Sequence, residues 1–246
     1  VDVMLDATQR FAELLTADRL FSWQAALFPT GYSGLRKIAV GSWRTEDPMS
    51  VVSGPEGHET VHYVAPPSAQ VPDEMEAFLE WWNHPPQHLD GLLRAALAHL
   101  WFISIHPFED GNGRLARVLT EMALSQDESR ALRAYSLSSR ILEYRNDYYA
   151  SLERAQRSNG DATDWFMWFL TTLKHAMEAG DRSVDGVMAR HRFWQSHRST
   201  DMNARQRKAL EKLLNAGPGG FEGGMTTRKY ASINHTSKPT AYRELV

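Results

Sequence analysis

The chain has 246 residues, of which 42% are hydrophobic and 23% charged, a composition that excludes a disordered protein. With 27 basic against 30 acidic side chains and no cysteine, it is not a disulfide scaffold, a thiolate metal site or a generally basic nucleic-acid binder. No apolar run reaches the ~18–20 residues that span a bilayer, and no basic stretch followed by an apolar core opens the chain. The expectation is a soluble, cytoplasmic protein without membrane contact. A start at Val1 and a stop at Val246 inside a predicted helix read as the ends of a piece of a longer protein.

The first element with a clear pattern is β-rich. Ser50-Val51-Val52-Ser53 and Thr60-Val61-His62-Tyr63-Val64 flank Gly54-Pro55-Glu56-Gly57, which predicts a hairpin in an otherwise helical protein. His58-Glu59-Thr60-Val61-His62 falls inside it and matches the H-E-x-x-H zinc pattern. That chemistry needs both histidines one turn apart on a helix, whereas a strand separates them by about 13 Å. The β-branched Thr60 and Val61 and the following Pro66-Pro67 argue against the helix. His84 and His88, interrupted by prolines, form a weaker pair still.

Helices follow. Asp73 to Asn83, after Pro72, sets Met75, Phe78, Leu79 and Trp82 at helical spacing. Asp90 to Ile105 is apolar enough for a central buried helix. Arg114 to Ser125 turns Leu115, Val118, Leu119 and Met122 to one side, and a further run from Thr163 continues towards Arg198. The aromatic residues of these runs read as core. In the tail, residues 203–216, 226–232 and 237–246 read as three short helices, with Thr226 and Ser237 as N-caps and Pro239 in a first turn. Gly217 to Gly220 and Gly223-Gly224 read as loop, and the sequon at Asn234 as idle.

The tail also differs in charge. Residues 203–246 hold eight basic side chains against three acidic ones, a balance of +5 in a chain whose total is -3. Two readings stand: a small helix-turn-helix-like module that meets DNA through Ser237, Lys238, Thr240, Tyr242 and Arg243, or a helical protein-docking surface.

The densest chemistry lies between the predicted helices, in His106-Pro107-Phe108-Glu109-Asp110-Gly111-Asn112-Gly113-Arg114-Leu115-Ala116-Arg117. Unpaired N–H groups at a helix start suit an anion such as phosphate, and Gly111 and Gly113 permit close backbone approach. Arg114 and Arg117 can both reach negative charge from the first turn. Asp110 supplies an oxygen beside that nest for Mg²⁺, which binds through one or two carboxylates plus substrate phosphates. His106 is the group suited to take a proton near neutral pH. Base, metal carboxylate, anion nest and two arginines together describe phosphoryl or nucleotidyl transfer.

This segment resembles the signature of Fic-domain proteins, H-P-F-x-[DE]-G-N-G-R-x-x-R, at every specified position. The resemblance extends over roughly residues 5–200 through the hairpin "flap", Ala65-Pro66-Pro67, Phe78-Leu79, Trp82-Asn83 and Asp147-Tyr148-Tyr149. It implies a mainly α fold: a Fic helical core over 1–200 with its flap near 50–64, then a C-terminal module of winged-helix type over 203–246, cut short. The implied activity is transfer of AMP from ATP onto a Ser, Thr or Tyr hydroxyl of a target protein, with release of pyrophosphate. Transfer of UMP or phosphocholine stays open, as does a DNA-binding regulator using the core as a nucleotide sensor; Arg114, rather than lysine, argues against a kinase.

The roles implied by the resemblance are specific. His106 is the base, and Asp110 holds Mg²⁺ against the α- and β-phosphates. Gly111, Asn112 and Gly113 form the nest, Arg114 binds the β/γ region and Arg117 the γ-phosphate. Thr60, Val61, His62 and Tyr63 line the nucleotide and pair with an extended target segment. Tyr148, Tyr149 and Gln156 lie near the adenine and ribose, while Pro107 and Phe108 anchor the loop. A homodimer is allowed. The family's inhibitory motif, [ST]-x-x-x-E-[GN], has no match in these residues and is expected upstream of Val1.

Overall fold

The computed structural model describes residues 2–53, 60–217 and 221–246. The expected Gly54–Gly57 turn, His58 and Glu59, and Pro218 to Gly220 lie outside the described residues. The chain divides into two compact units, Val1–Glu178 and Ala179–Val246. The division falls ahead of the expected junction near residue 200, inside a helix that runs from Thr163 to Ser196. Trp165, Phe169, Leu173 and Ala176 are the last buried hydrophobic side chains along that helix, and the first unit ends with them.

In the first unit, helices α1 (Asp2–Gln9) and α2 (Ala17–Leu27) precede a two-residue hairpin, β1 (Tyr32–Ser33) and β2 (Arg36–Lys37). This second hairpin departs from the expectation of one hairpin among helices; Gly31 and Gly34, both at positive φ, permit its tight turns. The flap is present as antiparallel β3 (Ser50–Ser53) and β4 (Thr60–Val64), with an irregularity between Val51 and Val52. Thr60 and Val61 therefore lie on a strand, which removes the helix that a zinc-protease pattern needs.

Helix α3 (Val71–Asn83) starts two residues before the predicted point because Pro72 fits the first turn, where no N–H partner is required. Helix α4 (Gly91–Ile105) begins at Asp90, whose carboxylate accepts from the N–H groups of Leu92 and Leu93. Its Ala95, Ala96, Ala98, His99 and Phe102 are fully buried, and such alanines let neighbouring backbones approach closely. Helix α5 (Asn112–Glu128) packs along α4 and also against α1. Helices α6 (Leu137–Glu143), α7 (Arg145–Arg157) and the first half of α8 (Thr163–Ser196) complete the core. Burying each large side chain at its centre, such as Phe78, Phe102 or Leu119, is worth about 1.5–3 kcal/mol.

The second unit holds α9 (Ala204–Ala216), α10 (Thr227–Asn234) and α11 (Lys238–Leu245) around Ala209, Tyr230 and Ala241. Asn203, Thr226 and Ser237 cap them, each accepting a backbone N–H. Glu244 draws Arg205 and the Tyr230 hydroxyl together, and these two bonds hold its carboxyl well below the usual range. The three helices fall over the stretches of the tail expected to be helical. No strand lies among the described residues of this unit, so the wing of a winged helix is not found. No helix of the described residues is long and apolar enough to cross a membrane.

Asn83 closes the end of α3 onto the loop between α1 and α2. Its Oδ1 accepts from Leu15 N at 3.0 Å, and its Nδ2 donates to the carbonyls of Leu15 and Leu79, each at 2.9 Å. Asn83→Ala leaves these part-buried groups unmatched, and chemical denaturation should show a loss of about 1–3 kcal/mol. An unchanged midpoint would mean that water replaces the amide at no cost.

Candidate active site

The segment between α4 and α5 is held from three sides. His106 ends α4 in the left-handed region, at φ 52°, a conformation uncommon outside glycine and found where surrounding contacts over-determine the backbone. Those contacts come from Arg44, whose Nε donates to the His106 carbonyl at 2.8 Å and whose backbone N–H donates to the Pro107 carbonyl at 2.9 Å. Phe108 is fully buried among Phe21, Trp43 and Phe102. Asn112 then closes the loop on itself, accepting from Phe108 N at 2.9 Å and donating to Phe108 O at 2.7 Å. At 2% exposure, its amide is spent on the loop. Asn112 thus shapes the nest from behind and presents no side chain to a ligand.

Gly111 and Gly113 do different work. Gly111 sits at φ 94°, and a Cβ there would meet the Phe28 ring at 3.0 Å. A Cβ on Gly113 would meet nothing within 4 Å. No side chain caps the start of α5, so its first N–H groups remain available to an anion at the positive end of the helix dipole.

In front of these groups lies a pocket of about 240 Å³. One wall is His106, Asp110, Gly111, Gly113, Arg114 and Arg117; the other is α7, through Tyr148, Tyr149, Leu152, Glu153 and Gln156, with Ile103 at the base. The His106 imidazole bonds to the Ile103 carbonyl through Nδ1 at 3.1 Å. A carbonyl only accepts, so Nδ1 carries the proton and Nε2 is the basic atom. Burial, aided by the neighbouring Arg44 charge against opposing pulls from Ile103 and Asp110, pushes the imidazole down to about 4. It is therefore neutral near pH 7, the form a general base requires.

Asp110 accepts from the Ser33 hydroxyl and from Gly111 N–H, the latter at 2.5 Å, and lies 3.9 Å from the Arg114 guanidinium. Arg114 itself rests over the Phe28 ring at 4.5 Å. Arg117 has no ion pair among the described residues. Glu109 points elsewhere: its side chain is 7% exposed and pairs with Arg36 at 3.6 Å, tying the β1–β2 hairpin to the loop.

The two flap side chains that are described here stand apart from this pocket. Val61 and Tyr63 do not line it, and the side chains of Thr60 and His62 lie outside the described residues. Tyr63 is half-buried, and burial with the Glu74 carboxylate raises its hydroxyl above the usual range. Strand β4 does lie against α7, the helix forming the second wall. Arg44, Phe28, Ser33 and Glu153 carry no motif and were not legible in sequence. No group of three or more acidic or histidine side chains suited to a metal occurs among the described residues.

Residues 14–124 match the Fic/DOC family. Protein adenylyltransferase Fic of Nematostella vectensis is 30% identical over 130 residues, covering 52% of this chain and 26% of that protein. Uridine 5'-monophosphate transferase of Xanthomonas campestris pv. campestris (strain 8004) is 32% identical over 120 residues, covering 46% and 21%. The chain thus spans about a quarter of the length of these curated relatives. Among solved structures, a Fic family protein from Desulfovibrio desulfuricans G20 has a TM-score of 0.54 at 23% identity, covering 96% of this chain and 63% of that one. A Fic domain containing signaling protein from Bacteroides thetaiotaomicron VPI-5482 gives 0.52 at 22%, covering 73% and 68%. These likenesses establish the helical Fic fold.

The two glycines should separate in a melting experiment. Gly111→Ala meets both a strained φ and the Phe28 ring, at a cost of about 1–3 kcal/mol. Gly113→Ala should melt within a degree or two of wild type; equal losses would contradict the open space around Gly113.

Acid should weaken the first unit through its two buried histidines, His106 at about 4 and His99, which burial pushes down to about 3. Both folded values lie below the unfolded value of about 6.5, so the unfolded chain takes up protons that the folded chain refuses. Stability should fall as pH drops from about 6.5 towards 4, with a slope approaching about two protons. A flat profile across that window would show the imidazoles to be charged in the folded state.

Proposed function

We propose that this chain, which carries a Fic/DOC-family domain over residues 14–124, is a protein adenylyltransferase. The substrates are ATP and a target protein bearing a Ser, Thr or Tyr hydroxyl, met in the cytoplasm. The observation that carries this reading is one pocket whose lining holds both a neutral imidazole with its Nε2 unprotonated and, on the same wall, an uncapped helix start with two arginines. The target hydroxyl oxygen attacks the α-phosphorus while its proton passes to His106 Nε2. The new O–P bond forms as the bond from the α-phosphorus to the bridging oxygen breaks, and pyrophosphate leaves with that electron pair.

The α5 N–H groups and Gly113 hold the phosphates, with Arg114 and Arg117 neutralising their outer charge. Ground-state binding at these groups also aligns the α-phosphorus, and in-line geometry is where positioning yields rate. Asp110 fits Mg²⁺: it is the motif carboxylate on the pocket wall, Glu109 being turned to Arg36. One carboxylate plus phosphate oxygens is the usual donor set for an ion that arrives with its nucleotide. When bound, Mg²⁺ supplies charge neutralisation on the triphosphate. Tyr148, Tyr149, Leu152 and Gln156 form the nucleoside wall.

The target segment adds along β4, an edge strand of a two-stranded sheet beside α7. A relative named for UMP transfer supports UTP as the second donor to test. The basic excess of residues 203–246 has no wing strand beside it among the described residues, and neither a DNA partner nor a homodimer is proposed.

Labelling of lysate proteins with α-phosphate-labelled ATP, and with UTP in parallel, tests the assignment. His106→Ala should lower transfer about 10²- to 10⁴-fold, the usual worth of a general base, while ATP affinity stays within a few-fold. Asp110→Ala should abolish the Mg²⁺ dependence of ATP binding, and Glu109→Ala should leave it intact. Near-normal transfer by His106→Ala would defeat the proposal, and preferred labelling from UTP would replace the nucleotide.

A further inference from the structure

Beneath the pocket, three helices meet at one buried imidazole. His99 of α4 is fully buried, with its Nδ1 at 2.9 Å from the Thr120 hydroxyl of α5 and its Nε2 at 3.0 Å from the Tyr148 hydroxyl of α7. Thr120 donates its own proton to the Ala116 carbonyl at 2.8 Å. Its oxygen is therefore left to accept, which places the proton of His99 on Nδ1. Nε2 of the neutral ring then accepts from the Tyr148 O–H. Only this order satisfies every hydroxyl: the reverse leaves the Tyr148 O–H without an acceptor among the described residues. Trp165 covers the ring at 5.3 Å between centroids and is itself fixed by a 2.8 Å bond from its Nε1 to the Ala96 carbonyl.

We infer that His99 is a positioning residue that sets the spacing between the phosphate nest and the nucleoside wall, through the ordered chain Tyr148 O–H, His99, Thr120, Ala116 carbonyl. The inference rests on the nucleotide reading above and adds to it how the pocket discriminates a nucleotide from a bare phosphate chain. Arg117 lies one turn before Thr120 on α5. Tyr148 lies one turn before Leu152 and two before Gln156 on α7, all three on the pocket wall. Pinning the two turns to one rigid ring fixes the gap that a nucleotide of given length must span. It also turns the Tyr148 hydroxyl inward, so the pocket meets the ring of Tyr148 and not its hydroxyl. Burial raises that hydroxyl's pKa and lowers that of His99, in keeping with a neutral chain throughout.

The test compares binding of Mg·ATP and Mg·tripolyphosphate by titration calorimetry in wild type, His99→Gln and Tyr148→Phe. Tripolyphosphate has the same chain of three phosphates, with one further ionisable oxygen, but no nucleoside. Both variants should bind ATP about tenfold more weakly, while tripolyphosphate affinity stays within about twofold, since one misplaced wall is worth roughly one hydrogen bond. Tyr148→Phe keeps the ring and removes only the donor, so it answers the question even if His99→Gln does not fold. Equal weakening of both ligands, or no weakening of ATP, would overturn the inference while leaving the nucleotide reading intact. A wild-type chain with equal affinity for the two ligands would defeat the nucleoside reading of α7 and this inference with it. Nitrogen-15 NMR of the wild-type imidazoles supplies a second readout: His99 should carry its proton on Nδ1, and a proton found on Nε2 would overturn the proposed order.

Discussion

A guanidinium with no exposed surface must find its hydrogen-bond acceptors inside the protein, and Arg44 finds them at the points the site depends on. Its Nε holds the His106 carbonyl, its Nη2 the Pro66 carbonyl, and its Nη1 the Asp47 carboxylate at 2.9 Å. Pro66 follows the flap strand, whose base is closed by Ala65 N–H donating to Met49 O at 2.9 Å. Asp47 in turn accepts from the N–H and hydroxyl of Ser68, at the turn that leads into α3; these bonds hold its carboxyl below the usual range. One buried charge thus ties the turn bearing the base to the root of the flap and to the next helix. Burial is the main reason that His106 stays neutral, and the same Arg44 charge adds to it. Leaving a buried donor without its acceptor costs about 1–3 kcal/mol, and more for a charged group, which favours keeping all three contacts.

The motif itself divides its residues between chemistry and architecture. Phe108, Asn112 and Gly111 build the loop: one fills the core, one staples the backbone, and one accepts a dihedral and a ring contact closed to other residues. His106, Asp110, Gly113, Arg114 and Arg117 face the pocket, and Gly111 joins them on its wall. The Asn112 amide, with both its partner atoms on Phe108, belongs to the loop, so what Asn112 can offer the nest is its backbone N–H.

The local rules carried a large part of the fold. Helices α3, α4 and α5 and the three tail helices follow from apolar spacing and from the caps at Thr226 and Ser237, and the paired strands of the flap follow from its β-branched arms. Helices α6 and α7 were not legible: α7 buries only Tyr148, Ser151 and Leu152 along a mostly polar face, too narrow a stripe for periodicity to announce. Within the pocket, the motif and the family resemblance identified the residues adjacent in sequence. Arg44, Phe28, Ser33 and His99 stayed hidden because their partners are far along the chain. Arg44 and His106 are 62 residues apart, and Ser33 and Asp110 are 77.

Two histidines, one within α4 and one at its end, show how the structure distinguishes function where the residue type does not. His99 and His106 are both driven neutral by burial. His99 has a partner on each ring nitrogen, so its imidazole is saturated and any proton it gained would break a buried bond. His106 spends only Nδ1, on the Ile103 carbonyl, and keeps Nε2 without a partner among the described residues, on the wall of the pocket. A depressed pKa alone would rank His99 as the more perturbed and hence the more reactive of the pair. Counting bonds reverses that order, because a base needs a lone pair that nothing else has claimed. The perturbation that His99 displays is the signature of a ring locked between two hydroxyls, whereas in His106 the same burial leaves one nitrogen free to take a proton.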